Sequence, residues 1–210
     1  MTLAGFALAM TGWLGDETLA VTLGMSGAVT YFFYLFWYSR FRRPPLQNLT
    51  TGKILPGFKV TDVAGQSFST DDLRGHPAVL LFFRGNWCPL CMAQIKEIAA
   101  AYRTLAEKQI QVVMISPQPQ SKTASLAKKF DTPMRFVVDT DNRIARQLGI
   151  AWEHGLPAGM QLLGYDSESV LPTVIVIDAE GRIVLADQTD NYRIRPEPAT
   201  FIAALESGRN

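Results

Sequence analysis

The sequence predicts an α/β domain with a mixed central sheet covered by helices on both faces. Three observations carry this. "AVLLFF" at 78–83 and "IQVVMIS" at 110–116 are continuous apolar runs, as in strands buried on both faces. Helical spacing separates them, through Ile95, Ile98, Tyr102 and Leu105. "TVIVIDAEGRIVLAD" then reads as a hairpin turning at Glu180-Gly181.

The remaining elements fall into order around these. "FKVTDVAGQSFS" alternates about Ala64-Gly65, as a hairpin does. The apolar spacing predicts a helix from Pro89 to about Lys108. "SKTASLAKKF" reads as a helix and "MRFVVD" as a strand. "DNRIARQLGI" is a short helix ending at Gly149. Ala151 to Val170 shows no period and is expected to be an irregular insertion. Pro196 to Ser207 closes the domain as a helix, with Pro196 near its first turn.

The first quarter of the chain is different. Thr18 to Tyr38, "TLAVTLGMSGAVTYFFYLFWY", holds 21 residues without a charge. As a helix it would be roughly 31 Å long, enough to cross a bilayer core. Its aromatic end and the Arg40, Arg42 and Arg43 that follow suit a membrane interface, and the positive-inside rule puts the larger part in the cytoplasm. A cleaved signal peptide fits poorly, because the positive charge follows the apolar run. A buried soluble helix is the other alternative, and it would be a long one. The expected organisation is a short apolar segment at 1–17 (an interfacial helix or a thin first span), a transmembrane helix at 18–38, a basic, proline-containing linker at 39–52 and a redox domain at 53–210. "RPPLQNLTTGKILPG" reads as a tether.

Twenty basic and 19 acidic residues leave a net charge of +1 with no basic stripe, which speaks against nucleic acid. Two cysteines do not make a disulfide-built scaffold. They lie together in "FFRGNWCPLC", as Cys88 and Cys91. Zinc would need about four ligands, and His76 and His154 have no ligand spacing to the pair, so no metal is expected. As a structural staple, so short a loop stabilises little. A reactive dithiol explains the placement. The pair follows a buried strand at the start of a helix, where backbone N–H groups and the helix dipole favour a thiolate. Pro89 suits the first helical turn, and Trp87 can wall the site. Arg84 either lowers the thiolate pKa or is a solvated loop side chain. Trp152 and His154 are expected to pack the insertion.

"FFRGNWCPLC" resembles the alkyl hydroperoxide reductase / thiol-specific antioxidant group, and more narrowly its peroxiredoxin-like branch with an R-G-x-W-C-P-x-C motif. "GKILPGFKVTDVAGQSFSTDDLRG", "VVMISPQPQ", "VVDTDNRIARQLGI", "LPTVIVIDAEGRI" and "DNYRIRPEP" are similar to other parts of that group. The resemblance covers about 50–207. It implies a thioredoxin-like fold, a peroxide or disulfide substrate, an external thiol reductant (thioredoxin-like or glutathione-like) and no bound cofactor. In typical peroxiredoxins the motif is T-x-x-C, so Cys91 takes the peroxide-attacking position and Cys88 replaces the threonine. Those proteins also carry an arginine where this chain has Pro172, beside Thr173. The resemblance likens Pro172 to the cis-proline that faces a thioredoxin dithiol. Disulfide exchange would have an exposed Cys88 attack and Cys91 resolve. In a peroxidase the order is open. The alternative class is a non-catalytic interaction or assembly module that retains the fold.

Overall fold

The computed structural model describes residues 18–40, 46–191 and 193–208. The segment 1–17 and residues 41–45 of the linker lie outside the described residues.

Helix α1 spans Thr18–Phe33 and ends in a π-helical turn, Tyr34–Tyr38. Three of its hydroxyls, those of Thr22, Ser26 and Thr30, bond carbonyls inside the helix. Thr22 and Thr30 donate to the carbonyls of Thr18 and Ser26, each at 2.8 Å. Its apolar side chains, among them Leu19, Leu23, Val29 and Phe36, stay exposed. Thr18–Trp37 is long and apolar enough to cross a membrane.

The α/β unit is described by itself. Strands β1 (Lys59–Thr61) and β2 (Ser67–Ser69) form the expected hairpin. Gly65 makes its turn at φ +81°, where only glycine is unstrained. Next come β3 (Ala78–Phe82), α2 (Pro89–Ala100), α3 (Tyr102–Glu107) and β4 (Gln111–Ser116). The helix expected to reach Lys108 is therefore two helices, broken at Ala101 with ψ near 0°. No glycine or proline marks the break.

Helix α4 (Gln120–Phe130), β5 (Arg135–Val138) and α5 (Arg143–Leu148) follow. The insertion carries a two-residue pair, β6 (Ala151–Trp152) with β7 (Ser169–Val170). Strands β8 (Thr173–Ile177) and β9 (Ile183–Asp187) then make the hairpin, and α6 (Pro198–Ser207) closes the chain. Pro198, not Pro196, opens this last helix. A proline biases the residue before it toward extended backbone, and Glu197 is held there at ψ 159°.

The central sheet runs β5-β4-β3-β8-β9. β3, β4 and β5 are parallel, and β8 and β9 add antiparallel. Buried on both faces, β3 and β8 have no side chain more than 1% exposed. Alternation divides the core. Leu80, Phe82, Ile175 and Ile177 pack with Ile144 and Leu148 of α5 on one face. Leu81, Phe83, Val174 and Val176 pack with Ile95 and Ile98 of α2 and Phe201 of α6 on the other.

The stretch read as a tether is packed from Leu46 onward. Leu46 N–H donates to Gln188 Oε1 at 2.9 Å, and Gln188 Nε2 donates to the Leu49 carbonyl at 3.0 Å. Gly52 N–H and the Lys53 carbonyl bond Ile183 of β9, each at 2.8 Å. An exposed strand edge needs cover, and this segment supplies it at β9. Leu49 sits in the core at 1% exposure.

Candidate functional site

The buried β3 delivers its chain end to one place, and α2 begins there. Cys88 is the N-cap of α2, in extended backbone, with Pro89 following as the first helical residue. Its Sγ accepts the backbone N–H of Cys91 at 3.4 Å. Both thiols are free in this structure, and both are buried at 1–2% exposure. The expectation of an exposed Cys88 is thus corrected. Pro89 turns the chain inward, and Cys91 one turn on faces the same apolar core.

The two thiols nevertheless differ in acidity. The Cys88 thiol is brought down to about 6. The side-chain hydrogen bond from Cys91 does most of this. Burial opposes it, and the Cys91 N–H and the charges of Arg84 and Arg195 add to it. Cys91 is pushed well above the ordinary thiol range, because its proton is held by Cys88 and the site is desolvated. The arrangement is one thiol, Cys91, donating to one thiolate, Cys88.

Arg84 is not a solvated loop residue. It is buried, and its guanidinium lies 4.5 Å from the Trp87 ring and 4.7 Å from the Trp152 ring. It also donates to the Gly155 carbonyl. Trp152 therefore belongs to the wall of the site, whereas loop packing was the expectation from sequence. Gly85, at φ +148°, makes room for the indole; a Cβ there would come within 2.6 Å of Trp87 Nε1.

The loop between β3 and α2 is held from two sides. Asn86 N–H donates to Gln118 Oε1 at 2.8 Å, and Tyr165 O–H donates to Asn86 Oδ1. Gln118 follows β4 and Tyr165 lies within the insertion. Neither stood out in the sequence, because a hydrogen bond across loops leaves no periodicity. Arg195, which acts electrostatically on both sulfurs, was also missed. Its signal was present in the tail "DNYRIRPEP", but nothing local ties that segment to α2.

Pro172 and Thr173 lie at the start of β8, and Thr173 pairs with Phe82 at the end of β3. Alternation puts the Thr173 side chain on the face of Ile175. Its hydroxyl donates to the Leu171 carbonyl at 2.9 Å. No peptide bond among the described residues is cis, so the likeness to a thioredoxin cis-proline fails at Pro172. Leu171 N–H bonds the Ile150 carbonyl at 2.8 Å, and an extended run into β8 accepts a trans proline at the strand start. Among the described residues no three His, Cys, Asp or Glu side chains converge as metal ligands would.

Comparison with known proteins agrees with this architecture. Residues 51–186 match the AhpC/TSA family. The thiol-disulfide oxidoreductase ResA of Bacillus anthracis is 25% identical over 164 residues, 78% of this chain and 82% of that protein. Peroxiredoxin Bcp of Bacillus subtilis is 23% identical over 137 residues, 65% of this chain and 83% of that one. Among solved structures, the peroxidoxin BcpB of Mycobacterium tuberculosis superposes with a TM-score of 0.60 at 22% identity, covering 77% of this chain and 97% of that one.

Proposed function

The chain belongs to the AhpC/TSA family, whose match spans most of its α/β unit, and on that premise we propose a membrane-anchored, cysteine-based oxidoreductase that works through the Cys88–Cys91 dithiol. Cys88 is the nucleophile. The observation that carries this is the split between the two thiols: Cys88 is lowered to about 6 and Cys91 is raised. Near neutral pH the sulfur at the helix mouth is therefore the thiolate, and only a thiolate attacks.

Disulfide exchange follows directly. Cys88 attacks one sulfur of the substrate disulfide, and a mixed disulfide forms as one substrate thiolate leaves. Cys91 gives up its proton, attacks Cys88 and releases the second substrate thiol. Two electrons pass to the substrate, and the protein keeps a Cys88–Cys91 disulfide until an external thiol reduces it. With a peroxide, the Cys88 thiolate takes one oxygen, an alcohol or water leaves, and Cys91 condenses with the sulfenic acid to release water. The raised pKa of Cys91 speaks against its attacking first, although the resemblance to the peroxiredoxin motif gives it that position.

The N-terminal helix supplies the anchor in this reading. It is uncharged and exposed along its apolar length, and arginines follow it, which favours a cytoplasmic redox domain.

The test is to mix the reduced full chain in detergent with hydrogen peroxide, an alkyl peroxide or a small disulfide and to count thiols. Loss of two thiols with disulfide supports exchange; loss with peroxide alone assigns a peroxidase. No loss with any of them leaves a non-catalytic interaction module. Labelling with a membrane-impermeant thiol reagent checks the sidedness: protection in intact cells that is lost on permeabilisation is the expected result, and labelling in intact cells would place the domain outside.

A further inference from the structure

We propose that Arg195 is a positioning residue for the dithiol: its buried guanidinium is the counter-ion of the Cys88 thiolate and sets how strongly oxidising the pair is. This rests on the reading of Cys88 and Cys91 as the redox centre.

The argument begins with an unmet need. Nε, Nη1 and Nη2 of Arg195 are all buried, and none has a hydrogen-bond partner among the described residues. A guanidinium stays protonated, so burying it without partners is costly unless opposing charge lies near. Cys88 and Asp187 of β9 supply that charge near neutral pH, with Cys91 beside them as the thiol. The like charge of Arg84 acts against it. Burial pulls the Arg195 pKa below its ordinary value, the direction expected of a cation that lacks full compensation.

Its place is fixed by the backbone. Gln94, one turn beyond Cys91 on α2 and itself buried, donates from Nε2 to the Pro196 carbonyl at 3.5 Å. Pro196 and Pro198 stiffen the segment, and α6 begins directly after it. Arg195 is thus clamped to the helix that carries the dithiol. The position before β8, where the family resemblance leads one to expect an arginine, holds Pro172 instead. This chain brings its second cation from the tail.

The consequence is electrochemical. Reduction adds two electrons and one proton to the disulfide near neutral pH, leaving Cys88 as thiolate and Cys91 as thiol. Arg195 stabilises the product side, since only the reduced pair carries the negative charge it faces. By linkage the same interaction favours the Cys88 thiolate over its thiol, so acidity and potential move together when Arg195 changes.

Three measurements on the full chain test this. In Arg195→Gln, the equilibrium with a glutathione redox buffer shifts about tenfold toward the disulfide, about 30 mV more negative. Its Cys88 midpoint, followed by thiolate ultraviolet absorbance, rises from about 6 toward the ordinary thiol range. Arg195→Lys restores most of both changes, which a merely structural role would not require. Unchanged midpoint and equilibrium in the Gln variant overturn the proposal, as does a Lys variant no better than Gln. Should the Gln variant not fold, the unaltered chain decides. A dicarbonyl reagent should modify the Arg195 peptide faster in the oxidised than in the reduced protein, and equal rates overturn the idea. If the cysteines form no disulfide at any glutathione ratio, the redox reading itself fails, before any variant is compared.

Discussion

Two buried acids sit at two helix mouths in this domain, and they are pushed in opposite directions. Cys88 caps α2 and is lowered to about 6. Asp139 stands before α5 and accepts the N–H groups of Ile144 and Ala145, each at 2.8 Å, yet its pKa is raised. Burial dominates at Asp139; its two backbone donors and the charges of Arg143 and Arg146 only reduce the shift. At Cys88 burial also opposes ionisation, but a neighbouring thiol outweighs it. A helix mouth is therefore not enough to make a reactive anion. Both acids have guanidiniums nearby, so it is the second sulfur that turns the same local geometry from a structural cap into a chemical site.

The comparison breaks most visibly in turnover. Cys88→Ser should lose disulfide or peroxide reduction down to the uncatalysed background, while Asp139→Asn keeps it, as measured by steady-state thiol oxidation. Loss of activity in a folded Asp139→Asn would erase the distinction between the two mouths.

The next effect concerns the neighbouring thiol. Cys91→Ala removes the donor that contributes most to lowering Cys88, while burial remains. The Cys88 midpoint should rise by at least about one unit, worth roughly 1.4 kcal/mol. An unchanged titration would shift the credit to the helix dipole. The same variant should trap the mixed disulfide with a small disulfide substrate, seen as a mass increase on Cys88.

A smaller effect is local packing around the wall. Gly85→Ala puts a methyl group against Trp87 at a φ of +148°, a region that L side chains rarely adopt. A loss of about 1–3 kcal/mol in unfolding free energy is expected, with a change in tryptophan fluorescence.

The sequence announced these regions unevenly. Buried strands such as Ala78–Phe82 were legible because a run of apolar residues on both faces has few other uses. The dithiol was legible because two cysteines after such a strand are chemically conspicuous. Leu46 to Leu55 was misread, since proline, glycine and polar residues describe a covering strap as well as a free tether. What separates them is Leu49 in the core and the bonds to Ile183, which composition does not encode. Arg84 was legible only as a choice between two roles, settled by Trp87, Trp152 and Gly155 around it. Arg195 was hidden because its neighbours in space come from α2, far back in the chain.

The finest test of the two helix mouths is pH-dependent stability, where they have opposite signs. Cys88 has a folded pKa below its ordinary 9.0, so its contribution is present above pH 9 and is lost as pH falls through about 6. Reduced protein should therefore gain stability over Cys88→Ser across that interval, by a few kcal/mol at most. The rise of Cys91 in the other direction limits the gain at the alkaline end. Asp139 has a folded pKa above 3.8, so its protonated form is the one the fold favours. Relative to Asp139→Asn, the unaltered chain should gain stability as pH falls through that raised pKa to 3.8, and lose it again as pH rises. Denaturant unfolding of both variants against the parent, over the two pH windows, reads the slopes directly. Slopes of the same sign would mean that burial governs both acids, and the thiol pair would then have no claim to being a tuned nucleophile.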